Sequence, residues 1–205
     1  MESLDQAPGI LLILTGSTAS GKDTVVRKLL QRFPDFSKIT TTTSRLPRKD
    51  EKEGKDYYFV SRERFLERLQ AGEFLETVEY SGNYYGTTKA EIRKVLNGKN
   101  MIWRIEATMA SRAKDYFKAI FDPNSAAKLL EKTLVVFLTT PNKQTLVRRL
   151  TSRGMDEKAI QIRFKQDAEN WDKLKDKFEN VIVNKDGALD ETINQIAQLL
   201  TKKIN

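Results

Sequence analysis

The sequence predicts an α/β protein: a parallel sheet flanked by helices, with a small mixed-sheet insertion and a helical segment towards the C-terminus. Three features carry that expectation. Short apolar runs at residues 10–14, 134–138 and 181–183 are too short for helices and read as buried strands. Each is followed by apolar residues at helical spacing, and strands alternating with helices favour a parallel sheet. Between about residues 45 and 88 the texture changes to shorter strand candidates separated by glycines, which marks an insertion.

The first run lies between Gly9 and Gly16, and a glycine-bearing loop leads from it into Val25, Val26, Leu29, Leu30 and Phe33, ended by Pro34. In the insertion, residues 57–60 and 74–80 read as strands, Phe65, Leu66 and Leu69 as a short helix, and Gly54, Gly72 and Gly82 as turns. Thr88 and Glu91 predict a capping box for a helix closed by Gly98. Residues 100–106 return a strand. After the run at 134–138, Thr140 is the expected N-cap and Pro141 the first helical residue, with Leu146, Val147 and Leu150 inward. Residues 157–178 predict a long amphipathic helix with Ile160, Phe164, Trp171, Leu174 and Phe178 inward. Leu189, Ile193, Ile196, Leu200 and Ile204 mark the closing helix.

The 205 residues suit one domain, or one core with a small insertion. A chain that is 39% hydrophobic and 31% charged is neither a membrane protein nor a disordered one. Thirty-six Lys and Arg against 28 Asp and Glu leave a net charge of +8, which points to a negatively charged partner. Cys and His are both absent, so disulfides, thiolate nucleophiles, imidazole bases and the commonest zinc ligand are excluded. Chemistry is left to Lys, Arg, carboxylates, hydroxyls and backbone amides. No run approaches the roughly 18 apolar residues of a membrane span. The opening residues MESLDQAPG lack the layout of a signal peptide, so a cytoplasmic protein is expected.

The most specific local signal is Gly16-Ser17-Thr18-Ala19-Ser20-Gly21-Lys22, of the form G-x-x-x-x-G-K, set directly after a strand and before a helix. Glycines there let successive N–H groups turn inward around a phosphate, and the helix N-terminus adds partial positive charge. Lys22 then reaches the β- and γ-phosphates. The position that ordinarily carries a hydroxyl for Mg²⁺ is Asp23, followed by Thr24. A carboxylate there either ligates the metal directly or serves as a first-turn acid favoured by the helix dipole.

Beyond the first helix, Arg45 and Arg48 stand three apart around Pro47, a spacing that lets two forked guanidinium groups grip one phosphate, and Tyr57 can add a hydroxyl. Glu76 offers a carboxylate to paired N–H donors, which is how a guanine edge presents itself. The combination S-R-x-P-R at 44–48, E-x-x-G-x-D-Y-x-F-V at 51–60, E-F-L-E at 73–76 and S-G-N-Y-Y-G-T at 81–87 resembles guanylate kinase. The likeness runs from about Gly9 to the C-terminus and includes an R-L-x-x-R-G pattern at 149–154 and V-x-V-N at 181–184.

The resemblance implies a phosphate-loop core, a region that binds a nucleoside monophosphate and a closing lid. It also implies transfer of the γ-phosphoryl group of Mg·ATP to GMP. On that basis the core is expected at 8–40, 98–140 and 178–205, the monophosphate-binding region at 41–97, and the lid with its flanking helices at 141–177. Carried over by position, residues 16–24 (Gly16, Ser17, Thr18, Ala19, Ser20, Gly21, Lys22, Asp23 and Thr24) and Asn184 would bind ATP. Thr41, Arg45, Arg48, Glu51, Tyr57, Glu76, Tyr85, Thr87 and Glu106 would bind GMP. Lys22, Arg48, Arg149, Arg153 and Arg163 would neutralise the transferring phosphoryl group. Closure over the substrates is expected, because excluding water protects ATP from hydrolysis.

The chain departs from the family pattern at 102–108, where L-[DE]-I-D-x-Q-G is typical. Arg104 replaces the first acid, Glu106 stands in for the second, and Gln-Gly is lost. Three rivals therefore accompany the leading expectation. A kinase of another acceptor, dGMP or ribose 1,5-bisphosphate, is suggested by the G-K-D loop, against which Glu76 speaks. A non-catalytic guanylate-kinase-like module is disfavoured by the intact Gly21-Lys22. A nucleic-acid-binding protein is prompted by the charge, but nucleotide substrates already account for it. A monomer or homodimer acting on nucleotides, with no nucleic acid or membrane partner, is expected.

Overall fold

The computed structural model describes residues 7–80 and 82–204. The chain runs β1 (Leu11–Gly16), α1 (Lys22–Arg32), β2 (Phe36–Lys38), β3 (Thr41–Thr43), β4 (Tyr57–Phe59), α2 (Arg62–Gln70), β5 (Phe74–Tyr80), β6 (Asn83–Thr88) and α3 (Lys89–Leu96). It continues through β7 (Asn100–Arg104), α4 (Ala107–Ile120), α5 (Pro123–Lys132), β8 (Thr133–Thr139), α6 (Lys143–Thr151), α7 (Glu157–Leu174), β9 (Asn180–Val183) and α8 (Leu189–Ile204). Among the described residues the strands form a parallel five-stranded sheet, ordered β2-β7-β1-β8-β9, and a mixed four-stranded sheet, ordered β4-β3-β6-β5. No helix among them is long and apolar enough to cross a membrane.

The parallel sheet is covered on both faces, which is why its central strands are continuously apolar rather than alternating. Leu12, Leu14, Val136 and Leu138 face Val25 and Leu29 of α1 and Ile196 and Leu200 of α8. Leu11, Ile13, Met101 and Trp103 face the other way, onto Ala110, Ala113 and Phe117 of α4 and Leu129 of α5. Each of the larger aliphatic, Met and Phe side chains, fully buried, contributes roughly 1.5–3 kcal/mol, and each alanine less. The second sheet pairs β3 with β4 in parallel and β6 with both β3 and β5 antiparallel. Phe65 of α2 stacks on Phe74 and Tyr84, with centroids 4.5 and 5.3 Å away, and so closes that sheet.

Several local expectations are corrected. The cap of α6 is Asn142, whose carboxamide oxygen accepts from the Thr145 amide at 2.9 Å, while the Thr140 hydroxyl is turned to the Asn142 carbonyl. Only half of the capping box at α3 forms: Thr88 accepts from the Glu91 amide, but the buried Glu91 carboxylate is drawn to the Thr40 amide, the Tyr58 hydroxyl and Lys94. The strand expected over 100–106 stops at Arg104, because Glu106 caps α4 by accepting from the Thr108 amide at 2.8 Å. Residues 107–132, without an element in the sequence-based expectation, form α4 and α5; small alanines give α4 its inward stripe. The long helix ends at Leu174 and gives way to a 3₁₀ turn at Lys175–Lys177. Ile160, Phe164, Leu174 and Phe178 are buried as expected, whereas the side chain of Trp171 lies outside the described residues.

Candidate active site

The phosphate loop joins β1 to α1 at the carboxyl edge of the parallel sheet, where ligands bind in open α/β folds. Gly16 and Gly21 have φ of +143° and +92°, and a Cβ would lie 1.9 Å from the Leu138 carbonyl oxygen at Gly16 or 2.6 Å from Asn184 Nδ2 at Gly21. Both positions therefore require glycine. Lys22 Nζ donates to the Gly16 and Ser17 carbonyls at 2.8 and 2.7 Å, holding the ammonium over the loop. Asn184 is buried: its Nδ2 donates to the Ser20 carbonyl at 2.8 Å and its Oδ1 accepts from the Thr192 hydroxyl. It braces the loop from behind rather than lining an open site. The Ser20 hydroxyl is buried and has no partner among the described residues.

Arg149 of α6 grips the same loop. Its Nη1 donates to the Ala19 carbonyl at 3.1 Å, Nη2 to the Asn184 carbonyl at 3.0 Å, and Nε and Nη2 to Asp186 at 3.0 and 2.7 Å. Asp186 also pairs with Arg148. Burial first, then the nearby charges of Arg148 and Arg153, lower the pKa of Arg149. The Arg153 side chain is exposed just beyond α6. Arg163 lies on α7, and its side chain lies outside the described residues.

Next to the loop, the second sheet and the end of β7 enclose a cavity of about 370 Å³, within the range usual for small-molecule sites. Thr41, Tyr57, Glu76, Tyr85, Arg104 and Glu106 give it polar walls, and Val78, Tyr80, Ile105 and Met109 give it apolar ones. A register shift in the β5–β6 ladder pairs Phe74 with Thr88 and Glu76 with Thr87, so these two residues, two apart in sequence, face opposite sides: Phe74 stacks on Phe65 and Glu76 reaches the cavity. The Glu76 carboxylate accepts from the Thr87 amide at 3.0 Å, and the Thr87 hydroxyl accepts from the Trp103 indole N–H at 3.0 Å. Burial raises the Glu76 pKa; bonds from Thr87 pull it down in part, and Glu106 adds to the rise. Thr87 is fully buried and does not line the cavity; it orients the acid that does.

At the cavity rim Arg45 Nη2 donates to both Glu51 carboxylate oxygens at 2.7 and 2.8 Å, with the guanidinium over the rings of Tyr57 and Phe59. Glu51 also accepts from the Arg48 amide at 2.9 Å, so its carboxylate organises both arginines instead of facing a ligand. The Arg48 side chain is exposed. Bonds from the Arg48 amide and the Arg45 guanidinium hold the Glu51 pKa down. Burial lowers the pKa of Lys38 beside Tyr57, a neighbour of the site that the sequence motifs did not indicate.

Asp23 is not poised as a metal ligand. Its Oδ1 accepts from Arg104 Nε at 2.7 Å and its Oδ2 from Arg104 Nη2 at 3.2 Å. Both Glu106 oxygens are engaged by Thr108. No cluster of three acidic or metal-ligating side chains occurs among the described residues. This donor set does not fit a cation held by the protein at Asp23. The pairing was hidden in the sequence because its partners lie 81 residues apart and meet only through the β1–β7 register, which sets Leu14 beside Arg104.

A family model described as guanylate kinase matches residues 9–203. The guanylate kinase of Trichormus variabilis is 36% identical over 179 residues, spanning 87% of this chain and 83% of that protein. That of Chlamydia felis is 38% identical over 180 residues, spanning 86% and 80%. A crystal structure of guanylate kinase from Anaplasma phagocytophilum superposes with a TM-score of 0.65 over 98% of this chain and 89% of that one, at 28% identity. With the loop, the cavity and a family match along nearly its whole length, this chain belongs to the guanylate kinase family.

Proposed function

We propose that this protein transfers the γ-phosphoryl group of ATP, taken as its magnesium complex, to GMP, giving ADP and GDP. The observation that carries this reading is the position of Glu76. A partly buried carboxylate, braced by Thr87 and Trp103, faces a cavity beside a phosphate loop. Such a carboxylate matches the paired ring N–H and amino donors of guanine, and a sugar phosphate needs no base-reading acid. Thr41 and Glu106 line the same cavity and complete the base pocket. Arg45, Arg48, Tyr57 and Tyr85 bind the acceptor phosphate, with Glu51 setting the arginines.

The backbone of residues 16–24 holds the triphosphate, and Lys22, Arg149, Arg153 and Arg163 spread positive charge over the moving group. Phosphoryl transfer depends mainly on positioning and charge stabilisation, so a site without His is sufficient. Residues 8–40, 98–140 and 178–205 act as the core, 41–97 as the acceptor region and 141–177 as the lid. No residue is assigned to the magnesium ion. The setting is cytoplasmic, with free nucleotides as partners.

Turnover of GMP, dGMP, AMP, UMP and ribose 1,5-bisphosphate with Mg·ATP tests the assignment. GMP is expected to give the highest kcat/KM. Absence of GMP turnover refutes it, and a preference for the ribose bisphosphate transfers the acceptor assignment to the sugar.

A further inference from the structure

The Asp23–Arg104 pair stands apart from the other ion pairs of the site because it joins the two substrate regions. Asp23 lies in the first turn of α1, next to Lys22. Arg104 is the last residue of β7 and lines the acceptor cavity. Its charge is felt by Tyr57 and by Lys38, both beside that cavity. The side chains are 39% and 76% exposed, so the pair stabilises the fold little. Its geometry is nonetheless a two-point grip, with Nε and Nη2 on the two carboxylate oxygens. The remaining guanidinium N–H groups have no partner among the described residues.

Two consequences follow from the charges. Asp23 alone would place a negative group beside a loop built for a triphosphate, and Arg104 cancels it. Arg104 alone would be a long, mobile side chain, and Asp23 fixes it between the phosphate loop and the acceptor cavity. We propose that Arg104 is a catalytic residue that contacts the phosphoryl group in flight, and that Asp23 is the positioning residue that holds it there. In the transfer, an acceptor phosphate oxygen bonds to the γ-phosphorus as the bond to the β,γ-bridging oxygen breaks, and the electron pair leaves with ADP. Arg104 stabilises charge on the oxygens of the moving group and exchanges no proton. The inference rests on the kinase reading above.

The test is a kinetic cycle of Arg104→Gln, Asp23→Asn and the double variant, with GMP and ATP-analogue binding measured by calorimetry. Arg104→Gln is expected to lower kcat by about 100-fold, as loss of one transition-state donor does, while GMP and the ATP analogue still bind. Asp23→Asn is expected to lower kcat about tenfold, and the double variant to be no slower than Arg104→Gln, because both act through one guanidinium. The Mg²⁺ concentration for half-maximal rate is expected to stay within about twofold in Asp23→Asn. Arg104→Lys, which keeps the charge and the packing of the stem, is expected to be intermediate, since an ammonium lacks the fork. Multiplicative losses in the double variant, a large rise in the Mg²⁺ requirement of Asp23→Asn, or near wild-type kcat in Arg104→Gln overturns the proposal. A wild-type enzyme that fails to turn over GMP would instead refute the kinase reading itself.

Discussion

The phosphate loop takes its shape from consecutive residues, whereas the acceptor cavity draws walls from β3, β4, β5, β6, β7 and α4. The loop's shape rests on glycine angles at 16 and 21, with Lys22 folded over two of its carbonyls and Asn184 and Arg149 bonded to it from outside. The cavity is lined by side chains, and those proposed to read the ligand are held by others: Glu76 by Thr87 and Arg104 by Asp23 from different elements, and Arg45 at the rim by Glu51 from the same loop. A locally encoded site tolerates little change within its own segment. A distributed one is sensitive to residues that never touch the ligand.

The sharpest way to break this contrast is Lys22→Ala. It is expected to lower kcat by about 10³-fold with the fold intact, since the loop is shaped by its glycines. Thermal unfolding alongside steady-state rates checks both halves, and a near wild-type rate removes Lys22 from the chemistry. On the acceptor side Glu76→Gln is expected to lower kcat/KM for GMP about 100-fold, or about 2.7 kcal/mol, because an amide N–H would oppose the donors of guanine. Rates with ATP varied at saturating GMP should change far less.

Glu51→Gln tests action at one remove. It weakens the hold of the Glu51 carboxylate on Arg45 Nη2 and is expected to raise KM for GMP about tenfold, or about 1.4 kcal/mol, with kcat nearly kept. An unchanged KM would show that the arginines are set by the loop backbone alone.

The smallest effect is in pH. Burial raises the Glu76 pKa, so the folded protein protonates this acid at a higher pH than a free glutamate. Protonation removes an acceptor for guanine, so KM for GMP should rise severalfold on acidification, starting above the ordinary glutamate range. The profile should flatten in Glu76→Gln. By the same linkage, protonating this group favours the folded state, so an acid-driven loss of stability must come from other carboxylates such as Glu51, whose pKa is depressed.

Local signals carried much of this chain. The run before Gly16, the glycine spacing to Lys22 and the helical stripe from Val25 to Leu29 all depend on neighbours within a few residues. They were legible for that reason, as were the strands Phe74–Tyr80 and Asn180–Val183 to within a residue. The alanine stripe of α4 was not, because small residues give a weak apolar period even when tertiary packing buries them. Asn142 displaced Thr140 as a cap because cap choice turns on which side chain meets a free amide, not on composition.

The amino-acid sequence by itself determined the phosphate loop, the sheet class and the set of charged side chains available for chemistry, since these follow from periodicity, glycine placement and composition. Only the tertiary structure decided which of those charges face a ligand and which face each other. Asp23 meets Arg104, and Thr87 lies behind Glu76. The physical reason is that ion pairs and buried hydrogen bonds are set by short distances in space, and strand pairing brings together residues that no local pattern connects.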